Sequence, residues 1–100
     1  MITHIVQWKV KDQAADLDKT GILEKIKCLL EELPAEISEI ISLQAGINEK
    51  PTEAASDIVL LSTFASWQDL EAYQIHPSHV AVGAYLKTVV TERRVVDFED

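Results

Sequence analysis

Residues that build covalent or metal-held frameworks are scarce in this sequence. Among its 100 residues there are one cysteine, three histidines and three glycines. A single cysteine, Cys28, excludes an intrachain disulfide and leaves no cysteine pair at the spacing of a zinc site. Three isolated glycines likewise exclude a glycine-rich loop that would cradle phosphates. Cys28 itself falls within an apolar helical pattern, and we therefore predict a small buried thiol.

Positive charge is the second shortage. Nine lysines and arginines stand against seventeen aspartates and glutamates, which gives a formal net charge of −8. The one adjacent basic pair is Arg93 and Arg94. An acidic surface repels phosphate backbones and anionic lipid headgroups, so we expect neither a nucleic-acid partner nor a membrane partner.

Long apolar runs are missing as well. No stretch reaches the roughly 18 apolar residues that a membrane-spanning helix needs. The beginning of the chain, MITHIVQWKVK, alternates in polarity and lacks the basic start and apolar run of a signal peptide. We therefore expect a cytoplasmic protein with a single domain over residues 1–100.

Periodicity in polarity divides the chain into strands and helices. Alternation over residues 2–11 predicts a strand whose apolar face includes His4. Ser66, followed three residues later by Asp69, predicts the cap of a helix. In chain order we predict a strand over 2–11, a helix over 22–33 ended by Pro34, a strand over 37–47, a loop over 48–56, a strand over 57–64, helices over 67–75 and 78–90, and a strand over 93–98.

This order of elements predicts a ferredoxin-like α+β fold. The pattern is β-α-β-β-α-β with a four-stranded antiparallel sheet, and Pro77 breaks the second helical segment in two. So few helices can cover only one face of the sheet, yet residues 40–41, 58–61 and 95–96 are apolar on both faces. We therefore predict a homodimer through the uncovered sheet faces. The alternative is that the extra apolar residues cluster at strand ends.

The segment from Phe64 to His79 carries the most specific pattern in the chain. It has the form F-x-S-x-x-D-L-x-x-Y-x-x-H-P-x-H, made by Phe64, Ser66, Asp69, Leu70, Tyr73, His76, Pro77 and His79. With the THIVQWKVKD start, it resembles the stress-responsive A/B-barrel (Dabb) family. The resemblance implies a dimeric α/β barrel in which the sheets of two subunits face each other. Thr88 follows Lys87 where the family often has proline, a departure at the end of the last helix.

Several polar residues are expected to converge between the sheet and the helices. His79, Val82, Gly83 and Leu86 follow helical spacing, so His79 shares a buried stripe. Gly83, one turn after His79, removes side-chain volume and is expected to leave a small cavity. We predict that His4, Tyr73, His79 and Gly83 contact a small apolar or carbonyl ligand there.

The resemblance also implies a possible chemistry for two of these residues. In the plant branch that includes a polyketide cyclase, the matching histidine is a general base and the matching tyrosine holds a substrate oxygen. By that likeness His79 and Tyr73 would be the catalytic residues of a cofactor-free cyclase, isomerase or small monooxygenase. The other reading is a stable stress-associated dimer that binds a ligand without turnover, with the histidines and Tyr73 in structural roles. The sequence alone favours the stable dimer that binds without turnover, because it holds no complete catalytic set.

A metal site is disfavoured. His76 and His79 are three residues apart, but Pro77 between them breaks regular helix geometry, and no acidic residue or cysteine lies nearby at a ligand-like spacing. We expect His76 to be a turn residue, and we expect no metal or other cofactor.

Overall fold

The computed structural model describes residues 1–100 and shows strands and helices in the predicted order. Alternating residues form the long strands, and apolar residues at helical spacing form the helices. The elements are β1 (Ile2–Val10), β2 (Gln13–Ala14), β3 (Leu17–Asp18), α1 (Lys19–Glu36), β4 (Ser42–Ile47), β5 (Ile58–Phe64), α2 (Trp67–Ile75), α3 (Pro77–Val89) and β6 (Val90–Glu99). None of the helices is long and apolar enough to span a membrane.

Four strands form one antiparallel sheet in the order β4-β5-β1-β6. This strand order, with the helices packed on one face, confirms the predicted ferredoxin-like fold. Strand β1 is central, and the register sets His4 opposite Ser62 on β5 and opposite Asp97 on β6. Paired residues share a face of the sheet, so His4 and Asp97 both point toward the helices.

A short hairpin of β2 and β3 lies before the first helix, between the segments predicted as the first strand and the first helix. Ala15 in its turn has a positive φ of 55°, a conformation that costs a non-glycine residue free energy. Asp18 then caps α1 by accepting a hydrogen bond from the Gly21 N–H at 2.8 Å.

The core lies between the sheet and α1, with contributions from α2 and α3. The inner face of β1 is buried throughout, including His4 at 2% exposure. Each fully buried aliphatic or aromatic side chain contributes about 1.5–3 kcal/mol. The apolar stripe of α1 that faces the sheet consists of Ile22, Leu23, Ile26, Leu30 and Leu33.

Two predictions about the first helix are wrong. Pro34 does not end it, because α1 continues to Glu36 and the Ile37 N–H still donates to the Leu33 carbonyl at 2.9 Å. Pro34 removes one donor of the last turn, while burial of Leu33 and Ile37 holds that turn in place. Cys28 is exposed rather than buried, since it lies about 200° around the helix from Ile26.

The second and third helices meet at a capped junction. Ser66 accepts a hydrogen bond from the Asp69 N–H at 3.1 Å, which confirms the predicted cap of α2. His76 Nδ1 accepts from the Ser78 N–H at 3.1 Å and caps α3, with Pro77 in its first turn. His76 is therefore a turn residue, as predicted.

The outer face of the sheet has no helix over it. The register places five apolar side chains there: Ile5, Val59, Leu61, Val96 and Phe98. Leu61 is 40% exposed and Val96 57% exposed, and both lie in the middle of their strands. The apolar residues of this face therefore do not cluster at strand ends. We call these five residues the outer apolar face.

Candidate functional site

A cavity of about 450 Å³ lies between the inner face of the sheet and the helices. Its volume falls in the range of small-molecule sites, and most of its walls are apolar. It is lined by His4, Val6, Trp8, Leu30, Leu60, Tyr73, His79, Val82, Gly83, Leu86, Lys87, Val90 and Arg93. The fold thus brings together strand β1, the end of α2, one face of α3 and the start of β6.

All four residues predicted to converge line this one cavity: His4, Tyr73, His79 and Gly83. The ring centroids of Tyr73 and His79 are 4.4 Å apart, and those of His4 and Tyr73 are 6.1 Å apart. A Cβ atom added to Gly83 would meet no atom within 4 Å. The glycine therefore faces open space, one helical turn after His79.

Tyr73 is buried on α2, yet its hydroxyl has no hydrogen-bond partner. The Phe64 ring packs against it at a centroid distance of 5.0 Å and fixes the position of the phenol. Burial raises the pKa of Tyr73 to about 12, partly offset by the positive charge of Arg93. The hydroxyl is therefore protonated across the physiological range and available to donate a hydrogen bond.

His79 is half-buried near the start of α3, where one ring nitrogen is engaged by the backbone. Its Nδ1 lies 3.0 Å from the carbonyl oxygen of Gln74, the last residue but one of α2. A carbonyl only accepts, so Nδ1 carries the proton and Nε2 keeps a lone pair. Burial lowers the pKa of His79, opposed by the Gln74 hydrogen bond. The neutral imidazole, which can accept a proton, is therefore the favoured form at pH 7.

His4 is held by a carboxylate that the sequence did not single out. Its Nδ1 donates to Oδ1 of Asp97, directly across the β1–β6 ladder. The register of β6 turns the Asp97 side chain toward the helices. The only signal was the alternation of β6, which places Asp97 on the face of Arg93 and Val95. The pair leaves Nε2 of His4 as its free ring nitrogen.

The sequence analysis also did not predict that two cationic residues line the cavity wall. Lys87 lies in the last turn of α3, and Arg93 lies near the start of β6. Arg94, next in the chain, points to the other face and pairs with Glu92 at 2.5 Å. Alternation separates the two arginines, but no sequence feature showed which one would face the helices.

The remaining candidate features lie outside this cavity. His76 does not line it, and no three side chains of the His, Cys, Asp or Glu type lie together as a metal-binding group. The loop over 48–56 borders a separate groove near Gln7 and Val59. No residue of this loop lines the cavity.

Known proteins of similar sequence and structure agree with this fold. A curated relative, the stress-response A/B barrel domain-containing protein DABB1 of Arabidopsis thaliana, is 31% identical over 101 residues, which cover 98% of this chain. The chain spans about half the length of that relative, 46%. A solved structure from Bacteroides fragilis, described as a dimeric protein of unknown function with a ferredoxin-like fold, is 35% identical with a TM-score of 0.88. The similarity covers 99% of this chain and 95% of that one.

More distant structures share the fold alone. A hydroxynitrile lyase from Passiflora edulis is 19% identical with a TM-score of 0.80, over 97% of this chain and 90% of that one. The model of the stress responsive A/B barrel domain family, Dabb, matches residues 2–100. Because this match spans nearly the whole chain and includes the segment around Tyr73 and His79, the chain belongs to the stress-responsive A/B barrel domain family.

Proposed function

We propose that the chain forms a homodimer in which each subunit binds a small, largely apolar molecule in the cavity beside Tyr73. The ligand carries a carbonyl or similar oxygen that accepts a hydrogen bond from the Tyr73 hydroxyl. The single observation that carries this proposal is the buried, unpartnered hydroxyl of Tyr73, a residue that lines an open apolar cavity.

The energetics of Tyr73 support a ligand. A buried polar group without a partner costs about 1–3 kcal/mol. Phenylalanine would fill the same space without that cost, and the nearest rings, of Phe64 and His79, pack against the ring rather than bond to the hydroxyl. A ligand oxygen in the cavity would satisfy the donor and recover the lost hydrogen bond.

The outer apolar face supports the dimer. It consists of Ile5, Val59, Leu61, Val96 and Phe98, and no element of the same subunit covers it. A second copy that packs the same face against it buries both sets together through a two-fold interface. The Bacteroides fragilis structure of similar sequence is described as dimeric, which fits this arrangement.

Binding can be measured with acetonaphthone, an aromatic ketone that has both an apolar body and a carbonyl. Trp8 lines the cavity and reports binding by quenching, once the exposed Trp67 is replaced by phenylalanine. Small ligands of this size gain roughly 0.4 kcal/mol per non-hydrogen atom, so we expect a Kd of about 0.1 mM. The Gly83→Leu variant places a side chain in the cavity and should weaken binding at least about tenfold.

Ala84→Leu is the matched control, because residue 84 is exposed on the same helix and does not line the cavity. It should bind acetonaphthone like the parent protein. Circular dichroism checks that both variants keep the helical content of α3. Equal affinity of the Gly83→Leu variant and its parent would place the binding site elsewhere and refute the proposal.

A second candidate function is proton transfer at a carbon next to a carbonyl. The geometry of His79 favours it, because Nδ1 donates to Gln74 and leaves Nε2 free to accept a proton. In such a step Nε2 takes the proton, and the Tyr73 hydroxyl donates a hydrogen bond to the resulting enolate oxygen. These are the roles that the likeness to the plant cyclase implies for the two residues. The fold does not decide the matter, since it hosts unrelated activities.

Hydrogen–deuterium exchange at the acetonaphthone methyl group tests this candidate without a known substrate. In D2O the protein should accelerate exchange, as followed by NMR, and His79→Gln should reduce the acceleration by at least about 100-fold. Burial lowers the pKa of His79, so exchange should stay constant as pH falls from 8 and decline only below about 6.5. If the wild-type protein does not accelerate exchange above the rate in buffer, proton transfer is refuted and binding without catalysis is left as the function.

A further inference from the structure

Positive charge is concentrated at one end of the cavity in an otherwise acidic protein. The chain carries nine lysines and arginines against seventeen acidic residues, yet both charged residues of the cavity wall are cations, Lys87 and Arg93. No aspartate or glutamate lines the cavity. Asp97, which contacts the cavity-lining His4, is already engaged by that histidine.

Neither cation has a partner within the subunit. No carboxylate lies within 4.0 Å of the Lys87 ammonium or the Arg93 guanidinium, and neither side chain donates a hydrogen bond. Arg94, the neighbour of Arg93, contrasts with both, because it pairs with Glu92 on the opposite face. Lys87 also lies in the last turn of α3, where a cation is favoured by the helix dipole, but Arg93 has no such structural reason.

Lys87 lies away from the polar groups already described, and the backbone of Arg93 is paired with Trp8, four residues along β1 from His4. Lys87 follows His79 by eight residues on the same helix, about 12 Å along its axis. The wall between them is apolar and is formed by Val82, Gly83 and Leu86. The cavity therefore has a hydrogen-bonding end at Tyr73 and His79, an apolar middle, and a cationic end where α3 meets β6.

We infer that the cavity selects small apolar ligands that carry a carboxylate, which Arg93 and Lys87 bind at the end where α3 meets β6. This inference rests on the proposed function and adds the class of ligand to it. A guanidinium binds a carboxylate through two parallel hydrogen bonds, and such charge-assisted bonds are about twice as strong as neutral ones. The apolar body of the ligand then lies along Val82 and Leu86.

Naphthoate and naphthamide form a matched pair of probes, because they share the ring system and nearly the same volume but differ in charge. With Trp67 replaced by phenylalanine so that Trp8 alone reports, we expect the protein to bind naphthoate about tenfold more tightly than naphthamide. In the Lys87→Gln/Arg93→Gln double variant the ratio should fall below about twofold. Both side chains are exposed and unpartnered, so the double variant should fold normally.

The control is the Lys11→Gln/Lys50→Gln double variant, which has the same change in net charge at exposed residues outside the cavity. It should keep the tenfold preference for naphthoate. A preference that survives in the Lys87→Gln/Arg93→Gln variant, or that disappears in the control, would overturn the inference.

The failure of this inference and that of the proposed function give different results. Equal binding of naphthoate and naphthamide to the wild-type protein, or binding of acetonaphthone alone, overturns the carboxylate specificity and leaves the cavity as a binding site. Absence of binding for all three probes refutes both.

Discussion

At the scale of single residues, the cavity keeps side chains that lower the stability of the fold. Tyr73 buries a hydroxyl without a partner, and Gly83 lies in the middle of α3, where glycine costs about 1 kcal/mol relative to alanine. An inner core selected for stability alone would hold phenylalanine and alanine at these positions. Both residues instead line the same open space, which fits the proposed ligand site.

The Tyr73→Phe substitution should therefore change stability and binding in opposite directions. We expect the free energy of unfolding at pH 7 to rise by about 1 kcal/mol, because the unpartnered hydroxyl is removed. Affinity for acetonaphthone should fall about fivefold through loss of one hydrogen bond. Urea unfolding and Trp8 fluorescence measure the two quantities. A loss of stability would mean that the hydroxyl already has a partner in the folded protein.

The alkaline range gives the same substitution a second readout. Folding raises the pKa of Tyr73 from about 10 to about 12, so between these values the folded state binds more protons than the unfolded state. The wild-type protein should then lose about 2 kcal/mol of stability as pH rises from 10 to 12. The Tyr73→Phe variant should not show this loss. Urea unfolding of the wild-type protein and the variant at each pH measures the difference.

At the scale of secondary structure, local patterns predicted the elements better than their ends. Alternation over 2–11 was enough to predict β1 and the face that carries His4. The Ser66 cap was equally local, because the side chain bonds an N–H three residues later. Pro34 misled the prediction, since burial of Leu33 and Ile37 outweighs one missing donor.

For the candidate site too, placements set by local spacing were predictable and placements set by strand register were not. His79 and Gly83 share a helix face by spacing alone, so their placement was predictable from the sequence. The pairing of His4 with Asp97 was not, because it joins residues 93 positions apart through the register of β6 against β1. Arg93 was missed for the same reason: its direction depends on that register and not on its neighbours in the chain.

At the scale of the whole molecule, the two faces of one sheet differ in what covers them. The inner face carries His4 and Trp8 and forms one wall of the cavity. The outer apolar face is exposed within the subunit, with Phe98 43% and Val96 57% exposed. In the proposed homodimer a second subunit covers that face, and the cavities lie on the other side of each sheet, between the sheet and the helices. The proposal therefore assigns ligand binding and dimerisation to separate surfaces.

Leu61→Lys tests the use of the outer face. Leu61 lies in the middle of β5, and the two-fold symmetry of a dimer would bury two new ammonium groups near each other. We expect the dimerisation constant to weaken at least about 100-fold, measured by sedimentation equilibrium. Val80→Lys is the control, because Val80 is 56% exposed on α3, on the side away from the sheet's outer face. It should remain dimeric.

The most direct test of the predicted homodimer is the mass of the wild-type protein in solution. One subunit has a mass of 11.2 kDa, so a dimer has twice that, 22.4 kDa. We predict that sedimentation equilibrium gives the dimer mass from about 1 to 100 µM, because a large apolar face is removed from water on association. A mass of 11.2 kDa over the whole range would mean that the outer apolar face stays in water, and it would contradict the homodimer at the centre of this interpretation.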